Sequence, residues 1–181
     1  LINGLQGEGV GASLKHFACN NSEYRRTEMD SIVDERALHE IYLSGFKRAI
    51  DKADPWTLMS SYNRLNGQQT SQHRGLLHDI LREQWGYKGL VMSDWYGVKD
   101  RPASLRAGND LAMPEVARDK SELLCAIERG EVNLDAVDTA CMRMLELIER
   151  IGGARKQSRP VDMPAHHRLA QRIAEESIVL L

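Results

Sequence analysis

The chain of 181 residues is 42% hydrophobic and 28% charged, with a formal net charge of -2. That is the composition of a folded globular protein and excludes a disordered, fibrous or disulfide-stapled one. The balanced charge leaves no footprint for nucleic acid or an anionic membrane surface, and no apolar run approaches the roughly 20 residues of a spanning helix. The sequence opens on Leu1-Ile-Asn-Gly, with neither an initiating Met nor a targeting signal, and reads as a chain already in progress. Cys19, Cys125 and Cys141 are odd in number and widely spaced, which argues against a disulfide framework and a structural zinc site. Cys125 and Cys141 fall within apolar helical patterns and are expected to be buried thiols.

Short apolar runs alternate with helical patterns along the chain. Residues 10–17 read as a first strand entered from glycines. From Asp34 to Ala53 the residues Leu38, Ile41, Tyr42, Phe46, Ala49 and Ile50 recur at helical spacing. Residues 56–62 read as a second strand after Pro55, and Asn66-Gly67 marks a turn. A helical stripe over Leu76, Leu77, Ile80, Leu81 and Trp85 is closed by Gly86. Residues 89–93 form a third strand, 98–107 a short helix, and 110–113 a fourth strand ended by Pro114.

Leu123, Leu124 and Ile127 define another helix, backed by Gly130. Asn133 is a good cap for a longer one carrying Leu134, Val137, Cys141, Leu145 and Ile148, stopped by Gly152-Gly153. Residues 154–163 read as a linker before a final helix from His166. There is no convincing internal repeat. Strands alternating with helices imply parallel βα units. Four such units fit either a small open α/β sheet or half of a (β/α)8 TIM-type barrel, and the pattern alone does not choose.

Polar side chains gather where the strands end: Lys15 and His16, Tyr62 and Asn63, Asp94 and Trp95. In parallel α/β folds that edge carries ligand sites, because the helices cover the other faces. The set suits glycoside hydrolysis, in which one carboxylate attacks the anomeric carbon and a second carboxyl group acts as acid and base. Trp95 can supply an aromatic platform for a sugar. Lys15, His16 and Arg26 can donate to hydroxyls and favour the ionised form of Asp94. The plain alternatives stand beside this. Asp94 can be a helix N-cap, Lys15 and His16 a strand-end charge network, Tyr62 and Trp95 packing, and Arg26 a solvated charge.

Lys15-His-Phe-Ala-Cys-Asn20 with Glu23 and Arg26, then Ser61-Tyr-Asn63 and Gly89-Leu-Val-Met-Ser-Asp-Trp95, resemble glycoside hydrolase family 3. Residues 80–94 look like the family's active-site signature, and residues 34–43 and 107–114 read like further family blocks in the same order. The resemblance implies that Asp94 is the catalytic nucleophile of a retaining enzyme. Lys15, His16 and Arg26 would bind the sugar, Tyr62 would stand near the nucleophile, and Trp95 and Met59 would line the pocket. Glu23 would pair with the basic group, and Cys19 would pack beneath the site.

The hexosaminidase branch carries a Pro-Gly-His-Gly loop after the Lys-His-Phe block. Here Ala18-Cys-Asn-Asn21 stands in its place, so the β-glucosidase and β-xylosidase branch is the better match. On this resemblance residues 1–153 are the C-terminal part of the catalytic barrel. Residues 154–181 lead towards a second α/β domain expected to carry the acid/base, and the N-terminal half of the barrel would lie upstream. The expected partner is a carbohydrate or glycoside substrate, with no cofactor and no metal. The chain alone is expected to be marginally folded or oligomeric, and inactive.

Three other readings remain: a truncated or degenerate homologue that binds sugar without turnover, β-xylosidase or α-L-arabinosidase specificity, and a Schiff-base enzyme using Lys15. The last needs an apolar lysine pocket that the neighbouring His16 and Arg26 do not suit.

Overall fold

The computed structural model describes residues 1–154 and 160–180. A short helix α1 (Ile2–Gly7) precedes β1 (Ser13–Phe17), and β3 (Thr57–Ser60) and β6 (Leu90–Met92) complete a three-stranded sheet in the order β1-β3-β6. Both pairings are parallel, with Leu14 opposite Leu58, and Leu58 opposite Val91. A parallel bridge from Met92 to Leu111 adds the fourth strand position. The strands thus follow one another in sequence order with a helical crossover between each pair. This is an arc of a (β/α)8-type barrel, which settles the choice the pattern left open. The fourth strand is shorter than expected: one bridge stands where residues 110–113 were read as a strand.

The first crossover runs through α2 (Glu35–Ala37), a π-helical stretch Leu38–Tyr42 and α3 (Ser44–Ala53). Asp34 caps its start, accepting from the Ala37 amide at 2.9 Å. The wide π turn shifts the buried stripe by about one position. Leu43 therefore points into the core while Ile41, expected inside, is exposed. The second crossover is π-helical over Gly75–Gln84 and buries Leu76, Leu77 and Leu81. It closes at Gly86 in the left-handed conformation the sequence anticipated.

Two-residue strands β2 (Asp30–Ser31), β4 (Arg64–Leu65) and β5 (Gln68–Gln69) form a second small sheet. Its hairpin turns at Asn66 and Gly67, both at positive φ, as a two-residue hairpin requires.

The short helix after β6 is α4 (Arg101–Ala107), not 98–107. Its cap is Asp100, which accepts from the Ala103 amide at 2.8 Å. Next come α5 (Ala117–Glu128), α6 (Leu134–Ala154) and α7 (Met163–Ser177). Asn133 caps α6 as predicted, its Oδ1 accepting from Asp135 N–H at 3.1 Å. α6, however, continues through Gly152-Gly153 to Ala154, and α7 begins at Met163 on an Asp162 cap. Most of the linker read over 154–163 lies outside the described residues.

The main core joins Phe17, Leu43, Leu58, Leu65, Leu77, Leu81 and Val91, with a smaller cluster of Leu105, Ala126, Val132 and Ala140 under α4 to α6. Cys19 is buried as expected. Cys125 and Cys141 are exposed, which corrects the sequence reading. They lie on the outward sides of α5 and α6, and Leu134, Leu145 and Ile148 of the predicted stripe are exposed with them. Among the described residues no helix is long and apolar enough to cross a membrane.

Candidate active site

β6 delivers Asp94 to the end of the sheet, and the residue before it fixes where Asp94 sits. Ser93 is fully buried. Its N–H donates to the Leu111 carbonyl at 2.8 Å, and its hydroxyl accepts from Met113 N–H at 2.9 Å. Asp94 then leaves the strand in a tight turn, its carbonyl accepting from Gly97 N–H at 2.9 Å. It caps no helix, since Asp100 does that work for α4. Its carboxylate, 14% exposed, is hydrogen-bonded on one oxygen and faced by His16 on the other. Oδ1 accepts from the Trp95 amide at 2.6 Å, and Oδ2 lies 3.2 Å from His16 Nε2.

β1 presents Lys15 and His16 at the same edge. Lys15 is exposed rather than sealed in an apolar pocket, which removes the basis for Schiff-base chemistry. It reaches the site through its charge on His16. His16 is held below its ordinary pKa first by partial burial. Lys15 and Arg26 push the same way, while Asp94 and Glu23 oppose them. The peptide bonds Lys15-His16 and Phe17-Ala18 are both cis.

Tyr62 follows β3. Its hydroxyl donates to the Trp95 carbonyl at 2.9 Å. Its pKa is raised, first by burial and then by the neighbouring Asp94 carboxylate. The Arg26 guanidinium lies over the Tyr62 ring, 5.2 Å from its centre, and pairs with Glu23 at 2.5 Å. Glu23 thus pairs within the basic group. Trp95 stands exposed at the mouth, edge-on to Tyr96 with ring centres 6.2 Å apart. Met59 is half-buried on β3, in register with Met92, and that pairing is its link to the site.

Asp94, His16, Tyr62, Arg26 and Trp95 therefore come together from three successive strand ends, with Lys15 at their edge. Chemically the group offers one oriented carboxylate, N–H and O–H donors, the cations Lys15 and Arg26, and an exposed indole. Such a set can hold a polyhydroxylated ligand and attack an electrophilic carbon.

Several contributors escaped the sequence reading. Gln69 donates to the Tyr62 carbonyl at 2.5 Å, and Ser71 donates to the Gly97 carbonyl at 2.9 Å, so the small hairpin and the 3-10 turn Thr70–Gln72 after it brace both site loops. Ser61 and Thr70 bond each other beneath it. The Asn66-Gly67 turn was the available signal, because it announces a hairpin right after the Ser-Tyr-Asn block. Tyr96, left-handed at φ 62°, was hidden because nothing local forecasts that conformation for a bulky residue.

Comparison with known proteins places this geometry in context. The model of the glycosyl hydrolase family 3 N terminal domain matches residues 1–147. Thermostable beta-glucosidase B of Acetivibrio thermocellus is 45% identical over 99% of this chain, which covers 24% of that protein. An exo-alpha-(1->6)-L-arabinopyranosidase of Bifidobacterium longum is 42% identical over the whole chain, again covering 24% of its length. Among solved structures, a beta-glucosidase of Bifidobacterium adolescentis superposes with a TM-score of 0.92 at 42% identity, over 99% of this chain and 27% of that one. Beta-glucosidase 3B of Thermotoga neapolitana, in complex with glucose, gives 0.91 at 40% identity, over 99% and 27%. The chain spans about a quarter of the length of the curated relatives it matches. It belongs to glycosyl hydrolase family 3.

Proposed function

We propose that this chain is the nucleophile-bearing part of a retaining β-glycosidase acting on terminal, non-reducing β-D-glucosyl residues. The observation that carries the reading is Asp94 itself, a carboxylate at a strand end held on Oδ1 by Trp95 N–H and faced on Oδ2 by His16. One oxygen attacks the anomeric carbon, the bond to the leaving oxygen breaks, and a covalent glycosyl-Asp94 forms. A second carboxyl group protonates the leaving oxygen and then deprotonates the water that releases the sugar.

Glu23 pairs with Arg26, and the family resemblance puts that second group in a further α/β domain. Residues 1–153 are then part of the catalytic barrel, and 154–181 lead towards a second α/β domain. In this reading Lys15, His16 and Arg26 bind sugar hydroxyls, Tyr62 stands beside the nucleophile, and Trp95 and Met59 line the pocket. Without the acid/base, the isolated chain binds sugar and does not turn it over.

The intact enzyme should be labelled on Asp94 by a 2-fluoro-β-glucoside, located by peptide mass. Asp94→Ala should lose nearly all turnover of an aryl β-glucoside. A label on another residue overturns the assignment. An arabinopyranosidase specificity is the second reading, favoured by the Bifidobacterium relatives. Comparing kcat/KM on aryl β-D-glucoside and aryl α-L-arabinopyranoside separates the two.

A further inference from the structure

β6 ends at Met92, two residues before Asp94, so the chain beyond the strand needs other anchors. They come from the loop after the fourth strand position. Ser93 N–H donates to the Leu111 carbonyl at 2.8 Å, and Met113 N–H donates to the Ser93 hydroxyl at 2.9 Å. Tyr96 N–H donates to the Met113 carbonyl at 2.8 Å. Residues on both sides of Asp94 are therefore docked on one neighbour, Met113. Two of these three bonds run from backbone to backbone and need no particular side chain. The third depends on the Ser93 hydroxyl, and Ser93 is fully buried.

We propose that Ser93 is a positioning residue, its hydroxyl holding the Asp94 turn against Met113 and so setting where the carboxylate meets the anomeric carbon. This rests on the reading of Asp94 as nucleophile. It goes beyond that reading, because it gives the aim of the carboxylate to a side chain buried out of reach of the sugar.

A misplacement of about 1 Å can cost about 100-fold in rate. Poor aim also differs in its signature from a changed charge. In the first half-reaction an Asp94 oxygen bonds to the anomeric carbon, and the pair of the broken bond leaves on the aglycone oxygen. In the second the ester bond breaks and its pair returns to Asp94, while the attacking water gives its proton to the base. Both transition states contain the same partial bond between Asp94 and the sugar, so poor aim slows both. A change in the basicity of Asp94 instead slows one and speeds the other.

The test uses the intact enzyme and a dinitrophenyl 2-fluoro-β-glucoside, whose phenolate departs without a proton. The burst of phenolate counts folded sites, the rate constant of trapping at saturation reads the first half-reaction, and reactivation by water reads the second. Ser93→Ala should lower both rate constants about 10- to 100-fold, with the apparent dissociation constant of the reagent within about threefold of wild type. Val132→Ala, in the smaller core cluster under α4 to α6, is the control for destabilisation alone. It should melt lower and keep both rate constants. Where Ser93→Ala gives no titratable sites, Ser93→Cys carries the same test, because a thiol fills the space and is a weak acceptor. Wild-type rate constants in the variant that folds, opposite shifts in the two steps, or an equal fall in Val132→Ala overturn the inference. A wild-type label away from Asp94 overturns the underlying reading, and the inference with it.

Discussion

Asp110 is the residue whose loss should cost the fold most. Its side chain is 2% exposed. Oδ2 accepts from Arg82 Nη2 at 2.9 Å and from Val91 N–H at 2.8 Å, while Oδ1 accepts from Arg143 Nη1 at 2.7 Å. Its backbone carbonyl takes Arg101 Nη2 at 2.8 Å. One carboxylate therefore ties the second crossover helix, β6 and α6 together, and its backbone adds α4. Burial pushes the Arg82 guanidinium down to about 10 even with Asp110 beside it, so that cation has no water to fall back on.

Asp110→Asn keeps the shape, deletes the charge and turns an amide hydrogen towards a donor. Removing one partner of a buried pair costs about 3–5 kcal/mol. At about 2–4 °C per kcal/mol for a unit of 150–250 residues, and less for a larger one, melting should fall by at most roughly 6–20 °C. Calorimetry on the intact protein measures it. Arg82→Met in the same background should recover part of the loss, because residues in contact couple by about 0.5–3 kcal/mol. A fall below about 2 °C, or strictly additive losses, would refute the reasoning.

Tyr62→Phe removes the hydroxyl between the Trp95 carbonyl and Asp94. We expect kcat to drop about 10- to 100-fold with little change in KM, read from steady-state kinetics on an aryl β-glucoside. Gly89→Ala would drive a Cβ against the Tyr87 hydroxyl and to 2.6 Å from the Trp56 carbonyl oxygen. Its cost should be about 1–3 kcal/mol by urea titration, and a neutral result would contradict the packing at the start of β6. The isolated chain exposes Met142, Leu145, Ile148 and Ile151 of α6 and should self-associate in sedimentation velocity. Leu145→Glu with Ile148→Glu should reduce that association, and a chain that sediments as a monomer from the start would count against it.

The sheet was legible because its strands are short apolar runs set between punctuating residues. Phe17, Leu58 and Val91, from the runs read as strands, lie in the core, and Gly86 and Asn66-Gly67 turned as their chemistry demands. The site was legible for a different reason. Polar residues at three strand ends have nowhere else to go once the strands are parallel, so Asp94, His16 and Tyr62 meet without any contact being visible in the sequence. What stayed hidden depends on distance along the chain. The small sheet uses strands of two residues, too short for any periodicity. Asp94 could be read as a helix cap because the turn closed by Gly97 N–H, which delays α4 to the Asp100 cap, is not visible locally.

The misread face of α6 shows what decides orientation when hydrophobicity does not. Leu134, Val137, Cys141, Leu145 and Ile148 make up the expected apolar stripe, and of these Val137 packs inward, beside Ala140 and Ala136. Both sides of the helix carry apolar residues, so the sequence pattern alone does not choose between them. The charges choose. Arg143 reaches buried Asp110 at 2.7 Å, and Arg150 lies over the Trp56 ring at 4.8 Å while pairing with Asp54 at 3.5 Å. Residues 143 and 150 share a helical face, and pulling both inward turns 141, 145 and 148 outward. A buried carboxylate must find its cations wherever they lie on the helix, whereas a leucine accepts any apolar neighbour. The arginines near the starts of β3 and β6 therefore set how α6 seats against the sheet that presents Asp94 at its other end.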